Sequence, residues 1–222
     1  MISISLTLSK KIPDTCIGIL AVREVDNYSD HPALKEARED LEVELRDRYG
    51  ALDRKGLRDL PVFSAYDSFY RPFKKTYHVQ LQLESILFKD KSILSPSVLV
   101  GAMFMAELQT GLLTAAHDLA ILELPITADI ALGNESYLRL NGTHQGLKAG
   151  DLYIRDGQSV LSSVIYGPDQ RTRIQPDTTQ VVYTTYGPPG ISREQVLEEL
   201  EILEGYLRLF APQLKREVLG VF

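Results

Sequence analysis

Apolar residues alternate with small polar ones at the start of the chain. Ile2, Ile4, Leu6 and Leu8 are separated by Ser3, Ser5 and Thr7. A period of two predicts a strand with one buried face. After the Pro13–Asp14 turn signal, residues 16–22 (Cys-Ile-Gly-Ile-Leu-Ala-Val) form a continuous apolar run. That pattern predicts a strand covered on both faces.

The period then changes. From Asp30-His31-Pro32, the residues Leu34, Ala37, Leu41, Leu45 and Tyr49 recur at helical spacing, and Gly50 follows as a stop. Lys35, Glu36, Glu39, Asp40, Glu42 and Asp47 fill the other face, which reads as solvated. Further helices are expected over 64–71 and 80–88. Ser95-Pro96 predicts another helix start, serine as N-cap and proline at the first position, where a missing N–H costs nothing. Val98, Leu99, Ala102, Met103 and Ala106 share its buried face, and Gly111 closes it. The run Met103-Phe104-Met105 reads as gap-filling core.

Beyond Leu119, short apolar runs at 121–124, 128–132, 137–140, 151–154, 160–166 and 180–186 alternate with turn pairs such as Gly133-Asn134 and Asn141-Gly142. Hairpins are expected there. Ser192 with Gln195 has the spacing of a capping box. Leu197, Leu200, Leu203, Leu207 and Phe210 then mark a last long helix, ended by Pro212. Strands, helices, strands and a helix in that order predict an α+β fold with a mixed or antiparallel sheet packed by helices. No repeat or low-complexity linker divides the chain, so one domain over 1–222 is expected.

Composition narrows the chemistry. A lone cysteine, Cys16, excludes an intramolecular disulfide framework and a cysteine-only zinc site. The net charge of -6 argues against nucleic-acid binding by bulk charge, though not against a local basic face. No run reaches the roughly 20 apolar residues of a membrane helix. The N-terminus lacks the pattern of a signal peptide and reads as a mature start, so a cytoplasmic location is expected. Glycine-rich phosphate loops, G-x-G-x-x-G, G-x-S-x-G and H-E-x-x-H are absent, which removes support for the commonest nucleotide, dinucleotide, hydrolase and metalloprotease designs. No cofactor and no metal are expected.

The densest polar signal is Thr114-Ala115-Ala116-His117-Asp118, with Glu107 upstream. A histidine beside carboxylates suits acid–base work, and equally a turn that it orients by hydrogen bonds. His31 reads as a capping residue, and His78 and His144, without paired spacing, as surface residues. Residues 70–77 interleave Arg71, Lys74 and Lys75 with aromatics, which suits phosphate contact and base stacking in RNA, or a helix C-terminus neutralised by cations. Arg171 and Arg173 form a second basic pair, able to grip a phosphate or to hold their loop through Asp169 and Asp177.

Taken in order, 80–86, Ser95-Pro96 leading into 103–108, 113–118 and 171–178 resemble the tRNA-binding and editing domain of the bacterial phenylalanyl-tRNA synthetase β subunit. Its free-standing relatives look closer still. The resemblance covers roughly 30–210 and implies that domain's α+β fold. It implies a protein that binds tRNA or an aminoacyl ligand and either hydrolyses mischarged aminoacyl-tRNA in trans or binds without cleavage. A complete ligase is excluded, because the class II core does not fit in this length. The family's histidine before Ala-Phe-Asp is Ala115 here, His117 stands in place of the phenylalanine, and Thr184 falls near the family's glutamate. The resemblance then implies an ester carbonyl near Thr114, His117 and Thr184, with His117 orienting water or acting as base. It places the oxyanion at backbone N–H groups near Gly167, the amino group at Glu107 and Asp118 in a retained scaffold position. Arg71, Lys74, Lys75, Arg171 and Arg173 are the expected RNA contacts. The oligomeric state stays open.

Overall fold

The computed structural model describes residues 2–222. The reading of Met1 as a mature start, and the facing of Ile2, Ile4 and Leu6, lie outside the described residues.

The N-terminal alternation does not hold as one strand. β1 (Ile2–Ile4) stops at Ser5, whose hydroxyl accepts from Leu8 N–H at 3.0 Å and caps α1 (Leu6–Lys11). A serine that caps a helix competes with the ladder. β2 (Cys16–Arg23) is buried as far as Val22, as expected of a central strand. The helical region follows as α2 (Pro32–Tyr49), α3 (Arg54–Arg58), α4 (Pro61–Tyr70), α5 (His78–Lys89) and α6 (Val98–Thr110). The start of α6 is two residues later than Ser95-Pro96 predicts. Ser97 is its N-cap, in extended backbone, and the Val98 N–H is taken by Tyr28 C=O at 2.9 Å. Gly111, at φ +80°, ends α6 in the left-handed conformation that glycine adopts without a Cβ penalty.

The segment around Thr114 is strand, not turn. β3 (Leu113–Asp118) is buried along its whole length. After it come β4 (Ile126–Ile130), the hairpin β5 (Ser136–Leu138) and β6 (His144–Gly146), then β7 (Leu152–Arg155), β8 (Val160–Ser163), β9 (Gly167–Pro168) and β10 (Gln180–Gly187). The expected run at 121–124 is instead a 3-10 turn over Leu119–Ile121 and a loop. The capping box forms as predicted and opens α7 (Arg193–Arg208), in which Val196 and Glu199 are buried with Leu200, Leu203 and Leu207. A last strand, β11 (Lys215–Val221), carries no strong periodicity and is not evident from sequence.

The fold is α+β. One sheet has the order β11-β2-β10-β3 and is antiparallel throughout. The second runs β1-β4-β7-β8-β9, with only β1 and β4 parallel. Alternation along the first sheet decides what covers each face. Gly18, Thr185 and Thr114 lie side by side and turn to the helices. A Cβ at Gly18 would stand 2.5 Å from Val196 Cγ1 and 2.9 Å from Leu200 Cδ1, so α7 seats there only because position 18 has no side chain. The opposite face carries His117 and Tyr186, which reach Ser162 of β8. The molecule is thus layered as helices, sheet and second sheet, and one main core runs from Leu8 to Leu214. β3 is the outer strand of the middle layer, with a free edge opening between the helices and the second sheet. No helix of the described residues is long and apolar enough to cross a membrane.

Candidate functional site

A cavity of about 590 Å³ lies along that edge, within the range of small-molecule sites. Val100, Met103 and Phe104 of α6, Leu113 of β3 and Ile174 make most of its wall apolar. Asn27, His78, Gln82, Glu107, Ser163, Tyr186 and Arg173 place polar groups in it, and Thr114, Ala115, Ala116 and Gly167 contribute to the lining.

Glu107 is at the inner end of α6 and 1% exposed. Its Oε1 accepts from the Thr114 N–H at 2.8 Å, and its Oε2 has no partner. Burial pushes its carboxyl well above the usual carboxylate range. The Thr114 bond acts in the opposite direction, and the neighbouring Glu199 adds to the rise. Thr185 donates to the Thr114 hydroxyl, 2.7 Å away, which in turn donates to Glu199 Oε1 at 2.6 Å. Glu199 Oε2 is also unpartnered, and burial lifts this carboxyl to about 8. Asn27 fixes the cavity's other orphan. Its amide donates to Gln175 C=O at 2.7 Å, so its Oδ1 is the atom left without a donor.

His78, expected at the surface, is half-buried in the cavity wall. Tyr70 O–H donates to Val164 C=O at 2.6 Å. The Tyr70 oxygen therefore accepts from His78 Nδ1–H, 3.1 Å away, which leaves Nε2 as an acceptor with no protein partner. Burial lowers His78 to about 4, so the ring is neutral at pH 7. Tyr70 stacks edge-on with Tyr77, whose ring lies flat on Tyr66 at 4.1 Å, and this cluster fixes the histidine's position.

His117 lies elsewhere. It is fully buried, is not part of the cavity wall and has both ring nitrogens occupied. Thr172 O–H donates to Asp169, so His117 Nδ1–H donates to the Thr172 oxygen at 2.8 Å. Nε2 then accepts from Ser162 O–H at 3.1 Å, and Tyr186 O–H donates to Ser162. Burial drives this histidine to about 3, helped by the nearby Arg171 charge. A ring committed on both sides has no nitrogen for water, which removes the geometry of a general base. Thr184 is likewise buried outside the cavity, 3.4 Å from Ala115 C=O. Asp118 caps the turn after β3, accepting from Ala120 N–H at 2.9 Å and Thr178 O–H at 2.7 Å.

Four of the five expected RNA contacts lie outside the cavity wall. Arg71 is exposed and pairs with Asp67 at 2.8 Å, and Lys74 and Lys75 are exposed away from the cavity wall. Arg171 is bound to Asp156 at 2.7 Å and lies 3.9 Å from Asp169. Burial of Asp156 works against its charge. The Arg171 guanidinium and the N–H groups of Glu123, Ser159 and Gln158 nevertheless hold its carboxyl below the usual range, so this cluster is structural. Arg173 alone of the five lines the cavity. No group of three or more potential metal ligands occurs among the described residues.

Thr114, Glu107, Gly167 and Arg173 are thus brought together on one cavity, whereas His117, Thr184 and Asp118 are not. Asn27, His78, Gln82 and Tyr186 join the cavity from remote parts of the chain, and no local pattern marks them.

The class defined by fold and site is an α+β protein with a largely apolar cavity and several free acceptors. No family model matches the chain, and no curated protein matches it. Among solved structures it is similar to an N-terminal fragment of the phenylalanyl-tRNA synthetase β-subunit from Pyrococcus horikoshii, at 12% identity and a TM-score of 0.49. The alignment covers 100% of this chain and 50% of that one. The chain therefore spans about half the length of that fragment.

Proposed function

We propose that this protein binds an α-aminoacyl group, as a free amino acid or as the aminoacyl end of a larger molecule, and holds it without cleavage. One observation carries the reading: two buried polar atoms of the cavity side chains, Glu107 Oε2 and Asn27 Oδ1, have no hydrogen-bond partner among the described residues, and His78 Nε2 in the same wall is an uncommitted acceptor. A buried acceptor without a donor is costly, and a ligand rich in donors relieves it. A primary ammonium brings three donors and a positive charge. Its arrival favours the ionised form of Glu107, so the carboxyl releases its proton as the ligand binds. The apolar wall suits a hydrophobic side chain, and Arg173 suits a carboxylate or phosphate at the polar end.

Binding is favoured over hydrolysis because His78 is the free base of the cavity. A ring held near 4 is a weak base at neutral pH. His117, the stronger candidate by sequence, is committed to Thr172 and Ser162.

The test is calorimetric titration with a panel of amino acids, their amides and the matching acids that lack the amino group. Glu107→Gln is expected to weaken the amino-bearing probes by roughly ten- to a hundred-fold, the worth of a charge-assisted hydrogen bond, and to leave the others unchanged. Absence of binding by every amino-bearing probe at millimolar concentration overturns the reading. A parallel arm incubates the protein with charged tRNAs, and release of the amino acid above the spontaneous rate replaces the binding reading with a hydrolytic one.

A further inference from the structure

The outer edge of β3 carries a backbone donor that the protein leaves unused. In an antiparallel sheet the peptide groups of an outer strand point alternately into the ladder and away from it. The direction at each position of β3 follows from its partners. Leu113 N–H faces β10, where the Tyr66 hydroxyl is spliced between it and Tyr186 C=O. Thr114 N–H points away and goes to Glu107 Oε1, and Asp118 N–H points away and goes to Thr172 C=O at 2.8 Å. Ala116 has the same parity. Its N–H points off the sheet on the side of the cavity that Ala116 lines, and it has no hydrogen-bond partner among the described residues. The residue is 7% exposed, and proteins rarely leave the N–H of so buried a residue unpaired. The C=O groups of Thr114 and Ala116 point the same way and are also free.

The open edge is short. Glu107 closes it at Thr114 and Thr172 closes it at Asp118, which leaves one pleat, roughly 7 Å of strand. That admits one residue's worth of backbone and excludes an added strand.

We infer that the Ala116 N–H holds the carbonyl oxygen of the bound aminoacyl group, which docks as a one-residue extension of the β3 edge with its ammonium toward Glu107 and the Thr114 carbonyl. The inference rests on the aminoacyl reading above and sharpens it. The ligand carries a carbonyl beside a free ammonium, and an N-acylated residue or an extended peptide is rejected because the two ends of the slot are closed.

Two probes isolate the contact: phenylalaninamide, and phenethylamine, which lacks the carboxamide. The wild-type protein is expected to bind the amide roughly five- to a hundred-fold more tightly, the cost of leaving a buried donor unsatisfied. Ala116→Pro deletes the donor at an edge position whose N–H the ladder does not use, a place where proline is tolerated. In that variant the gap between the probes should shrink below about two-fold. Should the variant not fold, the wild-type Ala116 amide resonance is read instead by 15N NMR. Phenylalaninamide is expected to shift it downfield and to slow its exchange with solvent, and phenethylamine is not. A gap that survives Ala116→Pro, or an Ala116 amide indifferent to phenylalaninamide at saturation, overturns the inference and leaves the aminoacyl reading standing. Failure of both probes to bind the wild-type protein overturns the aminoacyl reading and this inference with it.

Discussion

Replacing Glu199 by glutamine tests whether the helix–sheet junction buries a carboxyl that holds its proton. Glu199 is fully buried, accepts from Thr114 O–H and has one oxygen without a partner. Its rise from the usual 4.5 to about 8 means that ionising it inside the fold costs at most about 5 kcal/mol more than in the unfolded chain. Between those two values the folded protein keeps the proton and the unfolded chain has released it. The group's stabilising contribution is therefore complete below about pH 4.5 and is lost as the pH rises towards 8. Glutamine has nothing to release. It still accepts from Thr114, but it places an amide N–H₂ where Oε2 had no partner, at a cost of about 1–3 kcal/mol. Glu199→Gln should thus be less stable than wild type at pH 5 by up to about 2 kcal/mol and more stable at pH 9 by about 2–4 kcal/mol. Urea denaturation followed by far-UV circular dichroism at pH 5, 7 and 9 measures the difference. The contributions of His78, His117 and Asp151, which titrate in overlapping windows, largely cancel between the two proteins, whereas the part of the Glu107 rise that comes from Glu199 is lost in the variant and adds to the pH dependence of the difference. A stability difference that stays constant from pH 5 to pH 9 would refute the reasoning.

His117→Ala strands the Ser162 and Thr172 hydroxyls and opens a void, and we expect a loss of about 3–5 kcal/mol in urea melts; a loss under 1 kcal/mol would show that the Asp169-to-Tyr186 chain does not hold the two sheets together. The same histidine, neutral in the fold down to about pH 3, makes stability fall as the pH drops below about 6.5, a slope that His117→Ala should reduce. Gly18→Ala drives a methyl group against Val196 and Leu200, and thermal melts should show about 1–3 kcal/mol of destabilisation. An unchanged melting temperature would mean that α7 rides further from the sheet than a 2.5 Å separation between the added Cβ and Val196 implies.

Sequence periodicity was a good guide where one element buries a stripe. α2 with its Pro32 start and Gly50 stop, and α7 with its capping box, stand as their residues predict. Continuous apolar runs also served for β2 and β10. The pattern failed where short polar side chains decided the outcome. Ser5 turned half of an alternating strand into a helix, and Ser95-Pro96 lies in the extended entry to α6. β3 was hidden because its threonine, histidine and aspartate resemble a polar turn, yet each is satisfied by a partner 50 or more residues away. Among the candidate site residues, Glu107, Thr114, Gly167 and Arg173 share the cavity, and His117 does not.

By itself the amino-acid sequence determined the α+β class, the absence of a disulfide framework and the positions of the strongest helices. Those follow from local spacing, capping chemistry and a cysteine count. Only the tertiary structure decided which polar groups are spent and which are free. A histidine's chemistry depends on what meets its two nitrogens, and here Thr172 and Ser162 silence His117 while Tyr70 leaves His78 with an open Nε2. A peptide N–H is the same in every residue, and Ala116 became a candidate binding group only because β3 is the outer strand of its sheet and both of its outward neighbours are already capped.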